Sequence, residues 1–187
     1  MNILPKLQLQ IIDRDLKGNV IHQSKFMDLN TPVGQWLDIL CINLSGVTTN
    51  VRDYSNTVRS YAATNIDNAN CIGAANSVTQ GIILGTGTTA VALGDYKVET
   101  PIANGTGAGQ LTYGATSLLT APTVSGSSKY FELTRAMINS SGGDINVTEV
   151  GLYYFYTYVF CLERSLNSHT ITNGTSSTYV YRFTLTV

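Results

Sequence analysis

The most informative stretch of the sequence is YFELTRAMINSSGGDINVTEVGLYYFYTYVF, residues 130–160. β-Branched and aromatic residues flank a glycine-rich segment at 140–144, which is the pattern of two strands joined by a turn. We therefore predict a hairpin. Folding about this turn brings Arg135 close to Glu149, each on the apolar face of its strand. We predict that these two residues form a structural ion pair, which costs about 3–5 kcal/mol when one partner is removed.

The end of the same stretch, YYFYTYVF at 153–160, is apolar or aromatic on both faces of a strand. A single buried sheet face does not account for this pattern. Either the strand is central with both sides covered, or one row of tyrosines meets a neighbouring subunit, where tyrosine is enriched. The candidate interface residues are Tyr154, Tyr156 and Tyr158.

Short runs of this kind recur between glycine-bearing turns through the second half of the chain, as in antiparallel β-sandwiches. An alternation of apolar and polar residues at 7–11, followed by a turn at 17–19, predicts an opening hairpin. The fold class is therefore all-β, an antiparallel β-sandwich with one N-terminal amphipathic helix. The predicted strands of the second half cover 81–84, 96–102, 110–113, 129–138, 145–160 and 179–187.

The one predicted helix follows Thr31, a good N-cap residue, and has Pro32 at its first position. Gly46 is placed to end it. Its apolar residues recur at helical spacing, and we expect this stripe to face the core. The stripe consists of Val33, Trp36, Leu37, Leu40, Cys41 and Leu44.

A length of 187 residues predicts one compact domain. Residues 1–46 form an N-terminal hairpin and helix, a candidate docking element. Residues 47–80 form an irregular or edge-strand excursion, because Asn and Asp interrupt every apolar run. Residues 81–187 form the β-sandwich core.

Composition excludes several classes of partner. Charged residues make up 12% of the chain, about half the usual share, whereas 54 of 187 residues are Thr, Ser or Asn. The net charge of −1 supplies no basic surface for nucleic acid. No apolar run is long enough to span a membrane. We expect no signal peptide at the start, synthesis in a reducing cytoplasm, and buried free thiols at Cys41, Cys71 and Cys161.

Catalytic and cofactor motifs are weak. The segment GTGTTA at 85–90 matches the letters of a dinucleotide-binding fingerprint, but turn and strand residues follow it where a helix is required. With only His22 and His169, no Ser-His-acid arrangement or zinc-ligand spacing is evident. We expect no catalytic, cofactor-binding or metal site.

Four segments together resemble a recurrent family of small, β-rich virion proteins of tailed bacteriophages: GIILGTGTT at 81–89, GDY at 94–96, GQLTY at 109–113 and NSSGGDINVTEVGLY at 139–153. The resemblance covers 81–187, fits the opening hairpin and helix more loosely, and does not include 47–77. It implies a jelly-roll-like sandwich that assembles as an oligomer, often a trimer, on the capsid or tail. It implies no cofactor.

The expected function is that of a non-enzymatic structural protein of a phage particle: a capsid-decorating, head-fibre or connector and tail component. It is made in the host cytoplasm and acts by self-assembly and by docking to other virion proteins. The low charge fits a subunit whose surface is largely covered by neighbours. The alternative is a receptor- or glycan-binding module at a fibre tip, where exposed aromatic faces stack on sugars. A hydrolytic enzyme is the third reading.

Overall fold

The computed structural model describes residues 6–29, 32–62, 70–155 and 157–186. Within these residues the chain forms twelve strands and one helix, and the named strand pairs are antiparallel. The elements are β1 (Lys6–Arg14), β2 (Val20–Gln23), β3 (Met27–Leu29), α1 (Gly34–Ser45), β4 (Thr49–Arg52), β5 (Val58–Tyr61), β6 (Gly81–Gly85), β7 (Thr112–Tyr113), β8 (Ser117–Ser125), β9 (Ser128–Ile138), β10 (Ile145–Phe155), β11 (Val159–Ile171) and β12 (Ser176–Thr186).

Two antiparallel sheets pack against each other, which confirms the predicted all-β, sandwich-like class. The larger sheet has the order β2-β1-β12-β9-β7, with β3 also paired to β1 and β8 also paired to β9. The smaller sheet has the order β11-β10-β6. The opening hairpin is present as β1 and β2.

The main core lies between the two sheets. Leu9 and Tyr181 from the larger sheet meet Leu84 and Leu152 from the smaller one in a single apolar cluster. The smaller sheet is also covered on its other side, where Tyr153 packs with Val33, Ile83, Val98 and Cys161. Strand β10 is therefore central in the smaller sheet and buried on both faces, but only 153–155 of the aromatic run belong to it, and 159–160 begin the edge strand β11.

Helix α1 ends where predicted, because Gly46 adopts the left-handed conformation that glycine tolerates best. The predicted N-cap Thr31 lies outside the described residues, and Val33 occupies the N-cap position. Gln35, Ile39 and Ile42 form the buried face.

The prediction for the helix face is therefore wrong. Leu37, Leu40, Cys41 and Leu44 are exposed, and Trp36 is only half-buried. The predicted burial of all three thiols is also wrong: Cys161 is buried, Cys71 is half-buried, and Cys41, on the outer face of α1, is exposed.

The excursion at 47–80 contains a two-stranded hairpin, β4 and β5. Val51 and Tyr61 of this hairpin pack with Ile42 of α1 and with Phe160 of β11. The hairpin and the helix thus form a small second core beside the sandwich. Residues 63–69 of the excursion lie outside the described residues.

The predicted hairpin about 140–144 is wrong. Strand β9 belongs to the larger sheet and β10 to the smaller one, so the connection crosses between the sheets. The buried amide of Asn139 holds this crossing: its nitrogen donates to the carbonyls of Gly143 and Ile171, and its oxygen accepts from Ser141.

Other predicted strand boundaries also differ from those in the structure. The strand predicted at 145–160 is two strands, β10 and β11. The stretch 96–102 lies outside the named strands, while β8 and most of β11 were not predicted.

Arg135 of β9 is a fully buried charge that holds the excursion against the sandwich. Its guanidinium donates to five carbonyl oxygens at 2.7–3.0 Å and lies 4.8 Å from the centre of the Tyr113 ring. Burial lowers the pKa of Arg135 to about 10, so the group stays charged at neutral pH. The carbonyls belong to Ala74, Ser77, Gln80, Ile82 and Gly114.

We expect Arg135→Met to lower the free energy of unfolding by about 4 kcal/mol or more, because five inward-facing carbonyls lose a donor. Arg135→Lys, which keeps the charge but has only three donors, should fall between that variant and the wild type. Urea unfolding measures both. Arg14→Met is the control, because Arg14 makes one exposed bond to Gly18; an equal loss in this variant would contradict the special role of Arg135.

Candidate functional site

Glu149 lies at the centre of a buried polar network on β10. Its carboxylate accepts the backbone N–H groups of Gly87, Glu99 and Thr100 at 2.8–2.9 Å. It also accepts Nε of Arg164, from the neighbouring strand β11, at 2.8 Å. Both side chains are almost completely buried. A buried carboxylate with four donors is well satisfied, so this group fixes the 86–100 loop to the sheet.

Arg164 extends the network towards solvent. Its Nη1 pairs with Oδ2 of Asp95 at 2.8 Å, and its Nη2 donates to the carbonyl of Thr89 at 3.0 Å. Burial opposes the charge of Arg164, but hydrogen bonds to Glu149 and Asp95 outweigh burial and raise its pKa. The guanidinium is therefore a permanent cation that joins two parts of the loop.

Glu99 completes the network at the surface. Its carboxylate accepts the hydroxyl of Thr89 at 2.7 Å and the backbone N–H groups of Thr88 and Thr89 at 3.0 Å. Hydrogen bonds from the Thr89 hydroxyl and backbone, together with Arg164, lower the pKa of Glu99.

These contacts account for the glycine-rich segment at 85–90. The backbone N–H groups of Gly87, Thr88 and Thr89 face carboxylates of the same chain. In a nucleotide-binding loop such groups would face phosphate. The segment therefore attaches the loop to the sheet through these hydrogen bonds. Turns and bends follow it at 91–100.

The predicted ion pair between Arg135 and Glu149 is wrong. Arg135 binds backbone carbonyls, and the cationic partner of Glu149 is Arg164. The error follows from the misplaced hairpin, because β10 pairs with β11 instead of β9. A buried charge requires either a partner of opposite sign or a set of dipoles in place of water; Glu149 has the first and Arg135 the second. Had 159–171 been recognised as a strand, Arg164 would have been the candidate.

Two of the three candidate interface tyrosines, Tyr154 and Tyr158, lie near the small second core. Tyr154 and Tyr158 are half-buried and pack against it, and the guanidinium of Arg59 lies 4.4 Å from the centre of the Tyr158 ring. Tyr156 lies outside the described residues. An intermolecular role for these tyrosines stays a prediction.

A serine, a histidine and an aspartate meet at the edge of the sandwich, a grouping that the sequence did not indicate. His169 Nε2 lies 2.9 Å from Asp13 Oδ1 and 3.2 Å from Ser177 Oγ, and the Ser177 hydroxyl also donates to Asp13. In a catalytic triad the carboxylate binds one ring nitrogen and the serine the other. Here both share Nε2 and Ser177 is fully buried, so the grouping is a structural cross-link.

A cavity of about 270 Å³ opens beside the Glu149 network. It is lined by Thr89, Asp95, Tyr96, Lys97, Glu99 and Arg164. An aromatic ring beside carboxylates is a combination that sugar-binding sites use.

Two exposed apolar surfaces lie elsewhere on the chain. The first, the α1 stripe, consists of Leu37, Leu40, Cys41 and Leu44. The second is β8, which exposes eight of its nine residues and carries no charge. A strand with both faces in solvent is unusual in a folded sheet, and contiguous exposed apolar surface marks interaction sites.

Comparison with protein-family models, with curated proteins and with solved structures finds no match. Among the described residues, no helix has the length and hydrophobicity to cross a membrane.

We expect Glu149→Gln to lower the free energy of unfolding by about 3–5 kcal/mol, because it removes the buried carboxylate partner of Arg164 and leaves only the more exposed Asp95 and Glu99 to balance this cation. Combining it with Arg164→Met should cost less than the sum of the two single changes. The double variant should stay below the wild type, because the N–H groups of Gly87, Glu99 and Thr100 still lack a carboxylate. Urea unfolding of the four proteins tests this, and additive losses would contradict direct pairing.

We expect the 86–100 loop to loosen in acid. The pKa of Glu99 is lowered from 4.5, so its stabilising effect is complete above that pH and is lost as the pH falls through the lower folded-state value. The protection of the loop amides, taken as the intrinsic exchange rate at each pH divided by the observed rate, should therefore fall as the pH drops below the ordinary Glu value of 4.5. Glu99→Gln should exchange faster at neutral pH and show a weaker acid dependence. Equal acid profiles in the two proteins would contradict the role of Glu99.

Proposed function

We propose that this chain is a non-enzymatic structural subunit of a bacteriophage particle, which acts by assembling with copies of itself and by docking to other virion proteins. The observation that carries the proposal is the uncharged apolar surface of α1 and β8. Burying such surface between subunits is favourable at about 25 cal/mol per Å². An isolated subunit would leave it in water.

The internal use of polar groups supports the same proposal. The buried charged groups Arg135, Glu149 and Arg164 bind groups of their own chain, and so does the Ser177–His169–Asp13 cluster. Each network joins separate strands or loops of the sandwich. We regard these networks as part of a rigid scaffold rather than as a reaction centre.

The phage assignment rests on the sequence resemblance described above. It favours a capsid-decorating, head-fibre or connector and tail position, a trimeric state and a location in the virion after synthesis in the host cytoplasm. The net charge of −1 argues against nucleic acid as a partner.

The second candidate function is recognition of a glycan receptor at a fibre tip. The cavity beside Tyr96 favours it, since Asp95 and Glu99 are held rigidly next to an aromatic ring. Trp36 argues mildly against it, because this tryptophan is half-buried and stacks on Phe183.

We expect the purified chain to form an oligomer at micromolar concentration in light scattering, and to bind empty capsids or tails of the phage that encodes it. The Tyr96→Ala variant should bind these particles equally well. A monomer at every concentration that also fails to bind particles would contradict the proposal. Binding to host glycans that is lost in Tyr96→Ala would favour the receptor-binding alternative.

A further inference from the structure

A polar cavity of about 380 Å³ opens where the start of α1 meets the β4–β5 hairpin and the turn at 93–94. The N–H of Gly34 donates to the carbonyl of Leu93 at 2.8 Å, which holds this turn against the helix. We call this feature the α1 cavity. The lining residues that matter below are Gln35, Asp38, Asn50, Arg52, Val58 and Leu93.

The α1 side of the cavity contains a buried acceptor that has no donor. Gln35 is only 4% exposed, and its Oε1 makes no hydrogen bond. A buried acceptor without a donor is unfavourable, so such a group in a folded protein requires an explanation. The terminal torsion of glutamine is broad, and its rotation turns either end of the amide towards the cavity. A donor on a bound molecule would therefore satisfy this oxygen.

Asp38 provides a second free acceptor on the same side. It is half-buried and lies three residues after Gln35, and residues at this spacing are neighbours on the surface of a helix. Every other carboxylate among the described residues accepts at least one hydrogen bond, whereas Asp38 has neither a hydrogen bond nor an ion pair. Two adjacent acceptors, one of them negatively charged, favour a cationic donor.

The β4 side of the cavity provides donors instead. Asn50 and Arg52 are two residues apart in β4 and therefore share one face of the strand. The guanidinium of Arg52 donates to Oδ1 of Asn56 at 2.7 Å, and it has no carboxylate partner within the described part of the chain. The carboxylate next to it in sequence, Asp53, is paired with Arg59 at 2.7 Å. Arg52 is thus available to an anionic group in the cavity.

We propose that the α1 cavity binds a small aliphatic α-amino acid in its zwitterionic form. The ammonium group binds Gln35 and Asp38. The carboxylate binds Arg52, with Asn50 as a further donor. The cavity is lined by one charge of each sign, and a zwitterion supplies the opposite charge to both. A metal ion or a polyamine would meet the guanidinium, and an inorganic anion would meet the carboxylate.

The apolar part of the lining indicates the side chain of the ligand. Val58 is paired with Arg52 in the hairpin, and Val58 and Leu93 are 56% and 78% exposed. An aliphatic side chain covers both of them. A volume of about 380 Å³ lies at the small end of the range for ligand sites. The inference goes beyond self-assembly and does not rest on it.

The test titrates the full-length protein with L-leucine and follows the backbone amides by NMR. Amides of 34–38, 50–52 and 93–94 should shift. Isocaproate lacks the ammonium group of leucine and isoamylamine lacks its carboxylate, so each should bind at least about tenfold more weakly. Equal affinities for the three molecules would overturn the zwitterion assignment, and so would binding of glucose at these amides. Failure of L-leucine to bind would overturn the site.

Two variants test the assigned orientation. Asp38→Asn should weaken L-leucine binding about tenfold and leave isocaproate binding unchanged, because isocaproate has no ammonium group. Arg52→Met should weaken L-leucine binding to the same extent and leave isoamylamine binding unchanged. Asp15→Asn is the matched control, since it makes the same change in the turn between β1 and β2, outside the cavity. Equal losses for leucine and isocaproate in Asp38→Asn would overturn the orientation.

Gln35→Met separates binding from stability. Methionine has a similar shape, and Oε1 of Gln35 has no partner in its own chain. The variant should therefore keep the wild-type urea midpoint without ligand but bind L-leucine several-fold more weakly. A lower midpoint with unchanged leucine affinity would overturn the role of Gln35. A monomer that binds leucine would contradict self-assembly alone, and an oligomer that does not bind it would contradict this site alone.

Discussion

The fold depends on the hydrogen bonds that the buried guanidinium of Arg135 makes to backbone carbonyls. Arg135 lies in β9 and binds five carbonyls from segments that are distant in sequence, and through them it joins the 74–82 segment to the larger sheet. A buried cation without a carboxylate partner is tolerated only where dipoles replace its hydration. Two of the five carbonyls, those of Gln80 and Ile82, lie at the start of β6, so Arg135 supports the strand that pairs with β10 at the edge of the smaller sheet.

Glu149 and Arg164 are also buried charged groups whose hydrogen bonds hold separate segments together, here on the other side of the smaller sheet. They fix a long loop without regular structure, and the backbone donors of that loop bind carboxylates of the same chain. The polar groups of the interior are thus used for cohesion, whereas the apolar residues of α1 and β8 are left outside. The cores themselves are apolar, so the exposed apolar residues of α1 and β8 are an addition to the usual arrangement, and the proposed assembly would bury them when a neighbour binds.

The sequence predicted the fold class, the opening hairpin and the end of the helix at Gly46, because these depend on local periodicity and turn chemistry. It did not predict which side of α1 is buried. Helical spacing identifies an apolar stripe but not what covers it, and Ile39 and Ile42 form a second apolar face. Strand β11 was missed because Glu163, Arg164 and Ser165 interrupt its apolar pattern although all three are buried. The partner of Glu149 depends on strand order, and a five-residue turn is compatible with either a hairpin or a crossing between sheets.

The central claim is that the uncharged surfaces of α1 and β8 are contact surfaces between subunits. Hydrogen–deuterium exchange at low and high protein concentration tests this most directly. The account predicts that amides of 34–47 and 117–125 become protected as concentration rises, while those of 86–100 do not change. Exchange that is independent of concentration in α1 and β8 would contradict it.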